Sequence, residues 1–142
     1  MRPVHELLKN REATVWSLNP QDSVFDALKR LADHNVGAMV VLDGTKLVGI
    51  FSERDYTRKI ALAGRSSKDT PVKDIMTADV LTVAPKTMTN DCMVLMSQKK
   101  IRHLPVMDGG KVLGMISIRD IMDDIIKGHE QTISQLQSYI VS

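Results

Sequence analysis

Apolar residues at Val24, Ala27, Leu28, Leu31 and Ala32 are spaced i, i+3, i+4, i+7 and i+8. That spacing puts one apolar stripe on a helix of 3.6 residues per turn. Asp22 or Ser23 stands where an N-cap belongs. Downstream the period changes. Ala38–Leu42 and Leu47–Phe51 are short apolar runs on either side of Asp43-Gly44, a dipeptide suited to closing a tight hairpin. Upstream, Thr14–Leu18 reads as a short strand ended by Pro20, and a further helix is expected from Ser52. The predicted order is strand, helix, strand, strand, helix.

The same order then recurs. Val80–Val83 reads as a strand ended by Pro85, and Cys92, Met93 and Met96 stripe a helix. Leu104–Met107 and Val112–Ile116 flank Asp108-Gly109, and a helix is expected from Ser117. Residues 15–56 and 80–121 align at a constant offset of 65 without a gap: Val15 with Val80, Pro20 with Pro85, Asp26 with Asp91, Gly49 with Gly114. Exchanged positions keep their apolar character, as in Leu28/Met93 and Val36/Ile101. A register held this long marks an internal repeat, here a duplicated small α/β (α+β) unit. Residues 63–74, with Gly64, Ser66, Ser67 and Pro71, read as the linker. Val4, Leu7 and Leu8 share one face of a predicted N-terminal helix, and Ile133, Leu136 and Ile140 do so in the tail. An apolar stripe on a terminal helix either meets a second subunit or packs back on its own domain.

A chain of 142 residues suits one compact domain or two closely joined halves. Its 43% hydrophobic content supports a core, and nine Met against two Phe, two Tyr and one Trp make that core adaptable and poor in aromatics. Lys and Arg number 19 against 17 Asp and Glu, a net charge of +2, so electrostatics give no nucleic-acid signature. With Cys92 alone no internal disulfide forms, which fits a reducing compartment. On its helix face Cys92 is expected to be a buried small hydrophobe rather than a reactive thiol. The first residues lack the apolar stretch of a secretory peptide. No run nears the ~18 apolar residues that span a bilayer. A cytoplasmic protein is expected.

Both copies carry Gly-x-x-Ser-x-Arg-Asp, at Gly49–Asp55 and Gly114–Asp120, where a strand gives way to a helix. The motif reads in two ways. Ser with Asp three residues on resembles a capping box, whose role is structural. The same helix start also offers N–H groups and a positive dipole end to an anion, with Arg54 or Arg119 as a phosphate-matching fork. Capping alone does not ask for the Gly or the Arg. There is no Walker loop, no Gly-x-Gly-x-x-Gly and no nucleophile–base pair. His5, His34 and His129 are scattered and form no metal constellation. No catalytic residue and no metal ligand is assigned.

The repeat order, the twice-occurring Gly-x-x-Ser-x-x-Asp and the run Ile101-Arg102-His103-Leu104-Pro105-Val106 resemble a tandem pair of CBS domains, the module named after cystathionine β-synthase, over about residues 8–127. The resemblance implies two pseudo-symmetric β-α-β-β-α motifs packed as one module, with N- and C-terminal helices, divided as 8–66, 73–131 and a tail of 132–142. It implies adenine nucleotide (AMP, ATP or NAD) bound in clefts between the copies, with no metal required. Carried over, cleft one combines Ser52, Arg54 and Asp55 with Met76, Ala78, Ile101, Arg102 and His103. Cleft two combines Ser117, Arg119 and Asp120 with Arg11, Ala13, Val36, Gly37 and Ala38. By resemblance Asp55 and Asp120 hold ribose hydroxyls, Ser52 and Ser117 phosphates, and the apolar groups adenine. Arg102-His103 in one cleft stands against Gly37-Ala38 in the other. Cleft two is therefore expected to gain room and lose charge, and the clefts to prefer different nucleotides, a monophosphate in one and a bulkier ligand such as NAD in the other. His103 is either an interior histidine bonded to backbone or a phosphate contact. The implied function is a non-catalytic nucleotide sensor acting on an unknown regulated protein, with a homodimer expected and no membrane or nucleic-acid partner. The alternatives are an assembly module with degenerate clefts and a nucleotide-using enzyme.

Overall fold

The computed structural model describes residues 2–9, 11 and 15–141, without the side chains of Thr132, Ile133, Leu136, Tyr139, Ile140 and Val141. The site residue Ala13, the strand residue Thr14 and the side-chain stripe of the tail lie outside that description. The elements run α1 (Val4–Leu8), β1 (Ser17–Leu18), α2 (Val24–His34), β2 (Ala38–Asp43), β3 (Lys46–Ser52) and α3 (Glu53–Tyr56). After α3 come a π-helical turn (Thr57–Ala61) and a 3₁₀ turn (Val72–Asp74). Then follow α4 (Thr89–Lys99), β4 (His103–Asp108), β5 (Lys111–Ser117) and the long α5 (Ile118–Val141). The fold is the expected mixed α+β arrangement.

The repeat holds in backbone detail. The Ser23 hydroxyl accepts from the Asp26 N–H at 3.1 Å and starts α2, whose Val24, Ala27 and Leu31 are buried. That helix ends on Asn35 at φ 53°, and α4 ends 65 residues later on Lys100 at φ 55°. Both are left-handed caps; Asn suits this conformation better than Lys does. β2 and β3 form one antiparallel hairpin and β4 and β5 the other, each with a register shift at the same place, Val41/Leu42 and Val106/Met107.

One predicted strand contracts. β1 pairs in parallel with β2 through Ser17 and Leu18. In copy two the stretch Val80–Val83 keeps a single bridge, Val83 to Val106, at the place of Leu18 to Val41. The Val83 N–H donates to the Pro105 carbonyl at 3.0 Å, and the Met107 N–H donates to the Val83 carbonyl at 2.9 Å. Pro105 occupies the position of Val40 and has no N–H to carry the ladder upstream.

Two cores form, and each is completed from across the chain. Leu18, Val24, Leu31, Met39 and Phe51 pack with Val72 and Ile75. Cys92, Met96, Leu104, Val106 and Ile116 pack with Val4. Pro3-Val4-His5-Glu6-Leu7-Leu8 and Pro71-Val72-Lys73-Asp74-Ile75-Met76 are thus a further repeat, at an offset of 68. The Val4 N–H donates to the Thr87 carbonyl and the Val72 N–H to the Asp22 carbonyl, both at 2.8 Å. The Thr89 N–H donates to the Arg2 carbonyl and the Val24 N–H to the Thr70 carbonyl, both at 2.9 Å. The linker reading of residues 63–74 therefore changes at its end, since from Thr70 onward the segment is core structure. The segment ahead of each copy packs in the other copy.

Candidate functional site

Each hairpin ends on the serine of the repeated motif, and each serine opens a helix. The Asp55 N–H donates to the Ser52 hydroxyl oxygen at 3.2 Å, and the Ser52 N–H donates back to Asp55 Oδ2 at 3.0 Å. In copy two the Asp120 N–H donates to the Ser117 hydroxyl oxygen at 3.1 Å, and the Ser117 N–H to Asp120 Oδ2 at 2.7 Å. The capping box is thus present in both copies. The first helical N–H is also used: that of Glu53 donates to the Gly37 carbonyl at 3.0 Å, and that of Ile118 to the Arg102 carbonyl at 2.9 Å. These bonds tie each helix start to the residue just ahead of β2 or β4 in its own copy. They leave few backbone donors for an anion, so the Arg side chains carry that capacity.

The glycines have a structural reason. A β-carbon on Gly49 would stand 3.0 Å from the Thr77 carbonyl oxygen, and one on Gly114 would stand 3.1 Å from Leu8. Thr77 pairs with Ile50 through two 2.9 Å backbone bonds. The crossing segment of the other copy passes over the strand at each glycine.

Two cavities flank the seam. The larger, of about 750 Å³, brings Ser117, Arg119 and Asp120 together with Arg11, Val36, Gly37 and Ala38. The smaller, of about 380 Å³, brings Ser52, Arg54 and Asp55 together with Ile101, Arg102 and His103. Met76 and Ala78 are not among its lining residues. Met76 packs into the first core beneath Gly49, and Thr77 between them lines the cavity instead. Arg102 and His103 line both cavities, so the larger one keeps the charge it was expected to lose. The reason is proximity across the seam: a β-carbon on Gly37 would lie 3.7 Å from the His103 ring. Trp16 also lines the larger cavity, stacked on His34 at 4.0 Å, and Leu81 lines the smaller at the same repeat position. The constant offset relates Trp16 to Leu81, so the pair was visible in the sequence once either was known to face a cleft.

Electrostatics differ between the two. Asp55 Oδ1 accepts from the Thr77 hydroxyl at 3.3 Å and pairs with Lys59 Nζ at 3.2 Å, and Lys59 also donates to the Ile75 carbonyl at 2.9 Å. Asp120 Oδ2 pairs with Arg11 at 2.7 Å, and Arg11 also donates to the Met115 carbonyl at 2.7 Å. Burial pushes the His103 imidazole below its ordinary value; Asp120 opposes that shift and Arg102 adds to it. No hydrogen bond among the described residues engages the His103 ring. Thr77 was not singled out from sequence because it sits on the crossing segment that the offset of 65 hides, and Lys59, four residues past Asp55, because the repeat has Asp124 in its place.

The CBS-domain family profile matches residues 11–62 and again 72–127. Over 124 residues, 84% of this chain, the sequence is 44% identical to the CBS domain-containing protein CBSX3, mitochondrial, of Arabidopsis thaliana, and spans 60% of that protein's length. A solved protein with CBS domains from Burkholderia ambifaria superposes with a TM-score of 0.85 at 44% identity, covering 88% of this chain and 94% of that one. The CBS domain pair of protein MJ0100, solved with 5′-methylthioadenosine and S-adenosyl-L-methionine, superposes with a TM-score of 0.75 at 26% identity, covering 87% and 98%.

Proposed function

The chain belongs to the CBS-domain family, and on that premise we propose that it is a non-catalytic regulatory module that binds an adenine nucleotide (AMP, ATP or NAD) between its two copies. One observation carries the reading: the larger cavity gathers Ser117, Arg119 and Asp120 from one copy and Gly37 and Ala38 from the other around the cations Arg11 and Arg102. A carboxylate offers acceptors for ribose hydroxyls, and guanidinium forks match phosphate. The adenosine-type ligands of the MJ0100 pair support the ligand class. Binding acts on a partner only through unequal affinity for two arrangements of the protein. We place the protein in the cytoplasm and expect its regulated target on another chain. Among the described residues no helix is long and apolar enough to cross a membrane.

Thermal denaturation with AMP, ATP, NAD and S-adenosylmethionine tests the reading. A ligand at ~100 times its Kd adds ~2.7 kcal/mol to stability, several degrees for a chain of this size. No shift with any of them at millimolar concentration sinks it, and turnover of ATP or NAD by the pure protein sinks its non-catalytic part. A homodimer belongs to the same proposal, supported by Met122 and Ile126, exposed at i and i+4 on α5. Light scattering that gives a monomer mass removes it.

A further inference from the structure

We infer that nucleotide enters only the larger cavity, and that the smaller one is a structural twin whose recognition groups are already occupied from within the chain. This narrows the nucleotide reading above and rests on it. The two Ser-x-Arg-Asp sets have the same sequence and unequal chemistry. In the smaller cavity the Ser52 hydroxyl donates to Asp55 Oδ2 at 3.0 Å, and Arg54 donates to the Lys100 carbonyl at 3.2 Å. Asp55 Oδ2 takes the Ser52 N–H and hydroxyl, and Oδ1 takes the Thr77 hydroxyl and Lys59. A carboxylate has about four acceptor positions, and all of Asp55's are filled. Its side chain is 10% exposed. A ribose would have to displace Lys59, which the Ile75 carbonyl also holds.

In the larger cavity each of these groups keeps an opening. No partner among the described residues takes the Ser117 hydroxyl proton, the Arg119 guanidinium or Asp120 Oδ1. Arg11 binds Oδ2 only, and the Asp120 side chain is 31% exposed. The difference comes from substitutions between the copies. Asp124 stands at the place of Lys59 and pairs with Arg2 at 2.5 Å. Lys9 stands at the place of Thr77, by the offset of 68, and pairs with Glu6 at 3.2 Å. Neither supplies a donor to Asp120. Trp16 adds a flat ring to the larger cavity where the smaller has Leu81, and aromatic faces suit bases.

The test titrates AMP and, separately, NAD into the full chain. Calorimetry counts the sites, and the fluorescence of Trp16, the only tryptophan, reports on the larger cavity. The expected result is one molecule per chain, with heat and fluorescence saturating together. Losing a hydrogen bond to a charged group should weaken binding by at least about tenfold in Asp120→Asn and in Arg119→Gln. Asp55→Asn should bind as wild type does; should it fail to fold, Arg54→Gln, at an exposed position, takes its place with the same expectation. Two molecules per chain, or loss of binding in Arg54→Gln with Arg119→Gln unaffected, overturns the inference and leaves the nucleotide reading standing. Wild-type protein that binds neither AMP nor NAD overturns the inference, and the nucleotide reading falls with it when ATP and S-adenosylmethionine also fail to bind.

Discussion

A β-carbon on Gly49 would stand 2.6 Å from the sulfur of Met76, so these two residues meet only because Gly49 has no side chain. The Met76 side chain could swing away, but the Thr77 carbonyl oxygen at 3.0 Å belongs to a backbone fixed by its two bonds to Ile50. At Gly114 the nearest atoms among the described residues all belong to the flexible Leu8 side chain, the first at 3.1 Å. Gly49→Ala is therefore expected to destabilise by about 1–3 kcal/mol, the usual range for overpacking, and Gly114→Ala by clearly less. Denaturant midpoints of the two variants at unchanged m-value check the ordering. Equal losses would mean that the Thr77 segment yields as easily as a leucine side chain.

The crossed segments carry a second expectation. Val4 and Val72 are each fully buried in the core of the opposite copy. Truncating either to Ala should cost about 2 kcal/mol, from lost burial. Because each core takes in the segment that precedes the opposite copy, the two variants should lower one common unfolding transition rather than split it. Calorimetry that resolves two transitions in Val72→Ala, with only one of them lowered, would show that the halves unfold independently.

How much of this was legible beforehand depended on where the offset stayed constant. The hairpins, the caps at Ser23, Ser52 and Ser117, and the buried stripe of α2 follow from local spacing and were readable. The strand at Val80–Val83 was misjudged because Pro105, twenty-odd positions downstream, removes its partner's N–H. The crossing segments were hidden because their repeat lies at 68 rather than 65. That hidden shift also explains the site. Met76 and Ala78 were expected at the cleft, whereas Met76, just past the 3₁₀ turn, packs into the first core, and Thr77, held by its isolated bridge to Ile50, meets Asp55. The charge asymmetry failed for a different reason. Arg102 and His103 stand at the seam, and linear sequence cannot tell which side of a shared wall a residue faces.

Cys92 is buried in the second core, and burial, with Asp91 nearby, pushes its thiol up. The thiolate is the reactive form. The native protein should therefore react slowly with a thiol-specific reagent at neutral pH and rapidly once denatured. Nucleotide should slow the native reaction further by suppressing opening of the fold. A native rate equal to the denatured one would remove Cys92 from the core.

His103 makes stability depend on pH in a stated direction. Its ordinary value is 6.5, and in the folded protein burial lowers it. Between the lowered value and 6.5 the unfolded chain holds a proton that the folded chain does not, so stability rises with pH through that window. The contribution is complete above 6.5 and is lost as pH falls toward the folded value. Wild type should therefore lose more stability on acidification below 6.5 than His103→Gln, whose side chain does not titrate. The effect should invert in the presence of nucleotide. A phosphate in the larger cavity would favour the imidazolium beside Asp120, so nucleotide binding should take up a proton and tighten as pH falls. Calorimetry in buffers of different ionisation enthalpy reads that proton directly. A binding heat independent of buffer would place His103 out of reach of the bound phosphate.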